Sequence, residues 1–159
     1  MGRVVRFKEP QTVQELINRV GCGISFPGRN KHLNIATPSD GELCQKVGSV
    51  GICAGSGGSI LSNLDVDLLF TGEMSHHETL AATQRGQFVI AASHSTSERN
   101  FLSQVLENQL LGVLRDQWDA VRRAEASEKG SNGPNMKQAQ IEVVTSSKDR
   151  DPWGIYPYF

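Results

Sequence analysis

Three short apolar runs constrain this chain more than anything else in it: Val47 to Ala54, Val66 to Thr71 and Phe88 to Ala92. Each gives way to small or polar residues and then to a stretch with helical spacing. Runs of this length, bounded by turn residues and followed by helices, read as strands buried on both faces. Strands that alternate with helices imply an α/β fold, a mostly parallel or mixed sheet flanked by helices. In such sheets ligands bind outside the carboxyl ends of the strands. The chain sets its chemistry there, with Ser56 after the first run, Glu73 after the second and His94 after the third.

Around this core the pattern is weaker. Val13, Leu16, Ile17 and Val20 repeat at helical spacing, with Thr12 as cap and Glu15 three positions on to complete a capping box. Gly21 to Asn30 reads as loop, His32 to Ala36 as a short strand and Thr37 to Glu42 as an exposed turn. Ile60, Leu61 and Leu64 mark a brief helix, and Ser75 caps another that stops at Arg85 and Gly86. A long helix is expected from Thr96 or Ser97, with Phe101, Leu102, Val105, Leu106, Leu110 and Leu111 on one face. Residues 125–138, rich in Ser, Gly, Asn and Lys, read as a flexible insertion. Ile141 to Thr145 is expected as a late strand, antiparallel if it joins the sheet, and the aromatic tail Asp149 to Phe159 suits docking. At 159 residues the whole chain, 1–159, is the size of one domain.

Composition narrows the function classes. With 38% apolar and 21% charged residues the chain is of the globular type, and a net charge of −1 supplies no field for nucleic acid or a membrane surface. No direct nucleic-acid motif, membrane-spanning run or signal peptide is visible. Cys22, Cys44 and Cys53 lack CxxC spacing and read as reduced thiols, so the expected compartment is cytoplasmic, nuclear or mitochondrial.

Several motifs carry chemistry, each beside a plainer reading. His94 and Glu98 lie four apart at a strand end and in the first turn of the next helix, so an imidazole and a carboxylate can reach one cation. The plainer reading is a dipole-favoured Glu and a hydrogen-bonded loop His. Glu73, His76 and His77 crowd the end of the second strand, where His77 could act as general acid or base and Glu73 could orient it. Against that stands an ordinary helix start. The loop Gly55, Ser56, Gly57, Gly58 lacks the Lys of a P-loop and the third glycine of a dinucleotide site. It resembles a nucleophile elbow, but Asp65 and Asp67 lie at the far end of the sheet from Ser56, which disfavours a hydrolase triad. A tight strand-to-helix turn, with amides able to hold an anion, is the preferred reading.

Taken together, Gly51 to Ser59 (GICAGSGGS), Thr71 to His77 (TGEMSHH) and His94 to Leu102 (HSTSERNFL) resemble the NGG-one-interacting factor three (Nif-three-like) family in its eukaryotic form. Some members of that family are called GTP cyclohydrolase 1 type 2. The resemblance implies the second, carboxyl-terminal half of the family fold. It implies two divalent metal ions (zinc, manganese, iron or nickel) in the complete site, held here by His94 and Glu98. Glu73 and His77 would line the same cleft as catalytic residues, with Gly55, Ser56, Gly57 and Gly58 beside the substrate. The family's other ligands, a His pair and an Asp, belong to an amino-terminal half that this chain lacks, and His76 and His77 are not that pair. The resemblance therefore implies a metal-dependent hydrolase for a nucleotide-like or phosphate-bearing substrate, weakened or inactive as an isolated half. It implies partners too: a homo-oligomer or the missing half. The alternative is a non-catalytic interaction module with a transcription-related protein partner.

Overall fold

The computed structural model describes residues 2–25, 32–128, 141–146 and 148. It separates into two compact units, one reaching to Asn100 and the other beginning at Phe101.

The first unit is built on a five-stranded mixed sheet in the order β1-β3-β4-β5-β2. Its centre is the expected parallel core: β3 (Lys46–Ser56), β4 (Leu68–Glu73) and β5 (Phe88–Ala91). Successive side chains on these strands point to opposite faces. Leu68, Phe88 and Ile90 therefore pack with Val47 and Val50 under Val13 and Leu16 of α1 (Val13–Ile24). Leu69 and Val89 pack on the other face with Cys53, with Leu61 of α2 (Gly58–Leu61) and with Ala82 of α3 (His76–Gln84). Each large side chain so buried contributes about 1.5–3 kcal/mol. The α1 capping box forms as expected, Thr12 and Glu15 bonding each other's backbone amides.

Both edges are antiparallel. β2 (Asn34–Ala36) lies on β5, and β1 (Arg3–Thr12) lies on β3. The β1 strand was not expected, because Arg3, Arg6, Lys8, Glu9 and Pro10 hide its short alternation. An edge position accommodates all of them, and the register shift between Arg6 and Gln11 spans Pro10.

Three further expectations need correction. The helix after β5 begins at His94 itself, as α4 (His94–Phe101), because Ser93 turns the chain with a left-handed φ of 69°. In the second unit a π-helical turn (Leu102–Leu106) leads into α5 (Glu107–Glu128), so helix covers the start of the expected flexible insertion. The rest of that insertion and most of the aromatic tail lie outside the described residues. Ile141 to Thr145 forms no strand: the Thr145 amide and hydroxyl both bond Glu107 Oε2, at 3.1 and 2.6 Å, so a helix carboxylate takes the place of a ladder partner. Phe101, Leu102, Leu106 and Leu110 are exposed on their helix.

Candidate metal centre

The carboxyl ends of the three parallel strands bring the sequence-selected residues together. β3 ends in a bulge where Gly55 takes φ 67°, which turns Ser56 toward β4. The Ser56 hydroxyl donates to Glu73 Oε2 at 2.9 Å and lies 3.5 Å from His94 Nδ1. Glu73 Oε2 lies 3.2 Å from the same ring nitrogen. On the other side of the ring, His94 Nε2 is 3.5 Å from Glu98 Oε2, one helical turn along α4. The side chains of Glu73, His94 and Glu98 are 52%, 47% and 48% exposed, so solvent or a ligand reaches all three.

Two hydroxyls that local sequence does not reveal hold this geometry, one fully buried and one half-buried. Thr71, fully buried on β4, accepts from the Gly57 amide at 3.0 Å and lies 3.1 Å from the Gly55 carbonyl. Ser97 accepts from the Gly55 amide at 2.9 Å and donates to the His94 carbonyl at 2.8 Å, tying the loop to the start of α4. The amides of Gly55 and Gly57 are thus engaged inside the protein and do not face an anion. Close approach is what the glycines provide. A Cβ on Gly55 would stand 2.6 Å from Glu98 Oε1 and 3.2 Å from His94 Nε2. On Gly58 it would strike the Glu78 carboxylate at 2.4 Å.

The remaining sequence candidates fall elsewhere. His77 is exposed in the first turn of α3 and meets His76 edge-to-face at 5.7 Å. Among the described residues it forms no hydrogen bond with Ser56, Glu73, His94 or Glu98. Asp67 lies at the other end of the sheet, accepting from the Gly48 amide and the Ser49 hydroxyl at 2.9 and 2.8 Å, which removes it from any triad with Ser56. Sequence reasoning placed Ser75 as the cap of α3 but missed its partner Glu78, whose carboxyl is held below its ordinary value by the Ser75 hydroxyl and amide.

Residues 1–124 match the family model described as Duf34/NIF3 (NGG1p interacting factor 3). The chain belongs to the DUF34/NIF3 family. Among curated relatives it is 39% identical over 153 residues to the protein NIF3 homolog of Schizosaccharomyces pombe, covering 95% of this chain and 45% of that one. It is 40% identical over 152 residues to NIF3-like protein 1 of Mus musculus, covering 96% and 33%. The NIF3 chain described here thus spans less than half the length of these relatives. The fold is shared with a Bacillus cereus protein related to NIF3 (TM-score 0.64, 18% identity, covering 98% of this chain and 36% of that one). Staphylococcus aureus protein SA1388 shares it as well (TM-score 0.60, 18% identity, 98% and 37%).

The residues present fit a divalent ion in part. Two donors about 2.1 Å from a common tetrahedral ion stand about 3.4 Å apart. The 3.5 Å between His94 Nε2 and Glu98 Oε2 matches that separation without rearrangement. The absence of a Cβ at Gly55 keeps the space beside both donors open. Among the described residues, however, no group of three or more His, Cys, Asp or Glu is arranged to hold an ion. In this NIF3 chain His94 and Glu98 are two donors at a spacing that suits one ion.

Proposed function

We propose that this chain supplies one side of a divalent-metal site, with His94 and Glu98 as ligands, in a hydrolase acting on a nucleotide-like or phosphate-bearing substrate. The donor separation of 3.5 Å across the Gly55 gap carries the reading. Imidazole with carboxylate suits zinc, manganese, iron or nickel. The remaining ligands come from outside the described residues, such as the remainder of the family fold or a second copy. When bound, the ion supplies Lewis acidity and neutralises charge on the substrate. The chain's own part is narrower. The Ser56 hydroxyl faces the site and can contact substrate, while Gly55, Gly57 and Gly58 shape the loop around it. His77, exposed and one helical turn from the strand end, is placed to move a proton only if substrate bridges to it.

The test is metal content by elemental mass spectrometry together with mass by light scattering, on the parent and on a His94→Ala/Glu98→Ala double variant. The parent is expected to carry zinc or manganese and the double variant to lose it with its circular dichroism unchanged. A double variant that keeps its metal would sink the assignment.

A second reading is supported by names and by surface. The Saccharomyces cerevisiae relative is called NGG1-interacting factor 3, and Leu106, Leu110, Val113 and Val121 are exposed along the second unit's helices. In that reading the chain is a non-catalytic module that binds a transcription-related protein or itself. A metal-free parent that forms a defined oligomer would favour it.

A further inference from the structure

We infer that Glu73 is a positioning residue rather than a proton-transfer residue: it fixes His94 as the Nδ1–H tautomer and so directs the lone pair of Nε2 toward Glu98. Three contacts of the cluster lead there. Ser56 has one hydroxyl proton, and it is directed at Glu73 Oε2, 2.9 Å away, rather than at His94 Nδ1, 3.5 Å away. An ionised carboxylate only accepts. The proton in the 3.2 Å contact between Glu73 Oε2 and His94 Nδ1 therefore comes from the ring. The contact on the opposite nitrogen, 3.5 Å from Nε2 to Glu98 Oε2, is too long for a good N–H···O bond, which runs to about 3.2 Å. A neutral ring with its proton on Nδ1 carries its lone pair on Nε2. A carboxylate on the far nitrogen of a histidine is the usual means of orienting a metal-binding imidazole and raising its basicity.

The support extends a layer deeper. Ser56 is held toward Glu73 because the loop on either side of it is pinned, Gly55 by Ser97 and Gly57 by Thr71. The Ser97 hydroxyl also bonds the His94 carbonyl, so one side chain fixes the backbone on both sides of the hydroxyl–carboxylate–imidazole chain. The tautomer holds whether or not a metal binds. Only its consequence for affinity rests on the reading that His94 and Glu98 are ligands.

Long-range proton–nitrogen correlation on the metal-stripped 159-residue chain at alkaline pH, where imidazole is neutral, tests the tautomer directly. The chain has four histidines, so His94 is assigned by its loss in His94→Ala. The parent is expected to show His94 protonated at Nδ1, and Ser56→Ala to keep that state because Glu73 still accepts. Glu73→Gln is expected to shift it to Nε2–H, because the amide can donate to Nδ1, while the backbone spectrum stays that of the parent. A parent protonated at Nε2, a Glu73→Gln variant that keeps Nδ1–H, or a shift caused by Ser56→Ala would each overturn the inference. Zinc titration of the same samples separates it from the function proposed above. Glu73→Gln should bind about 10- to 100-fold more weakly than the parent. If the parent binds no zinc, the metal reading fails while the tautomer assignment stands.

Discussion

The two ends of the parallel strands carry similar residues and treat them differently. At the amino end, Ser49 and Gln87 are each 5% exposed, and their bonds are short and complete. Ser49 donates to Asp67 Oδ2 at 2.8 Å and accepts from the Asp67 amide at 3.0 Å, while Gln87 donates to the carbonyls of Leu64 and Val66, both at 2.8 Å. At the carboxyl end Glu73, His94 and Glu98 are about half exposed and stand 3.2 to 3.5 Å apart. Glu73 and Glu98 there flank one imidazole, and Glu73 also accepts from the Ser56 hydroxyl. Polar groups at the amino end are satisfied by the fold itself, which makes them structural. Those at the carboxyl end face solvent as well as one another, which the proposed cation site requires.

The strongest test of this contrast lies beneath the carboxyl-end loop. A Cβ on Gly57 would come 2.4 Å from Thr71 Oγ1 and 2.8 Å from the Cys53 Cβ, and both residues are buried. Neither can swing away, so Gly57→Ala should destabilise by about 2–3 kcal/mol. Gly86 gives the comparison. It has φ 82° but nothing within 4 Å of its virtual Cβ, so Gly86→Ala should lose only the left-handed backbone term of about 1 kcal/mol. Denaturant midpoints of the two variants measure the difference. Equal losses would mean that the loop is not packed against Thr71.

A reciprocal pair separates the ends by role. Gln87→Ala leaves two carbonyls without their donor and should lose about 1–3 kcal/mol, with metal content unchanged. Glu98→Ala removes a half-exposed carboxylate, so it should change stability by under about 0.5 kcal/mol yet abolish metal uptake. Thermal unfolding beside elemental analysis reads both quantities. If Gln87→Ala lost metal as completely as Glu98→Ala, the two ends would not be independent.

How much of this was legible depends on whether the controlling interaction is local. The three core strands were, because burial on both faces leaves a continuous apolar run that nothing else explains. The convergence of Ser56, Glu73 and His94 followed from strand direction alone. Thr71 and Ser97 were not legible, since their hydroxyls act on residues 14 and 42 positions away. The helix start at His94 was missed because it depends on a left-handed Ser93, a conformation that Gly or Asn would have announced. The false strand at Ile141 to Thr145 shows the converse error. Ile141, Val143, Val144 and Thr145 are β-branched and suit a strand, but propensity supplies no neighbour to pair with.

The smallest expected effect concerns the capping box that backs the carboxyl-end loop. Glu78 bonds the Ser75 hydroxyl at 2.7 Å and the Ser75 amide at 2.9 Å, and its carboxyl lies against the Cα of Gly58. These bonds hold its pKa below the ordinary 4.5, the Ser75 hydroxyl contributing most. A carboxyl depressed in the folded state stabilises it fully above the unfolded value and loses that contribution as pH falls through the folded one. The first turn of α3 should therefore keep its protection above pH 4.5 and loosen below it. Glu15 in the α1 box is depressed in the same sense, with the Thr12 amide as the larger cause, but Val13 and Leu16 anchor that helix in the core. Amide exchange across an acid series should show α3 fraying before α1, and Glu78→Gln should remove the α3 transition while leaving that of α1. Equal responses of the two helices would mean that the box at Ser75 is not what holds the back of the loop.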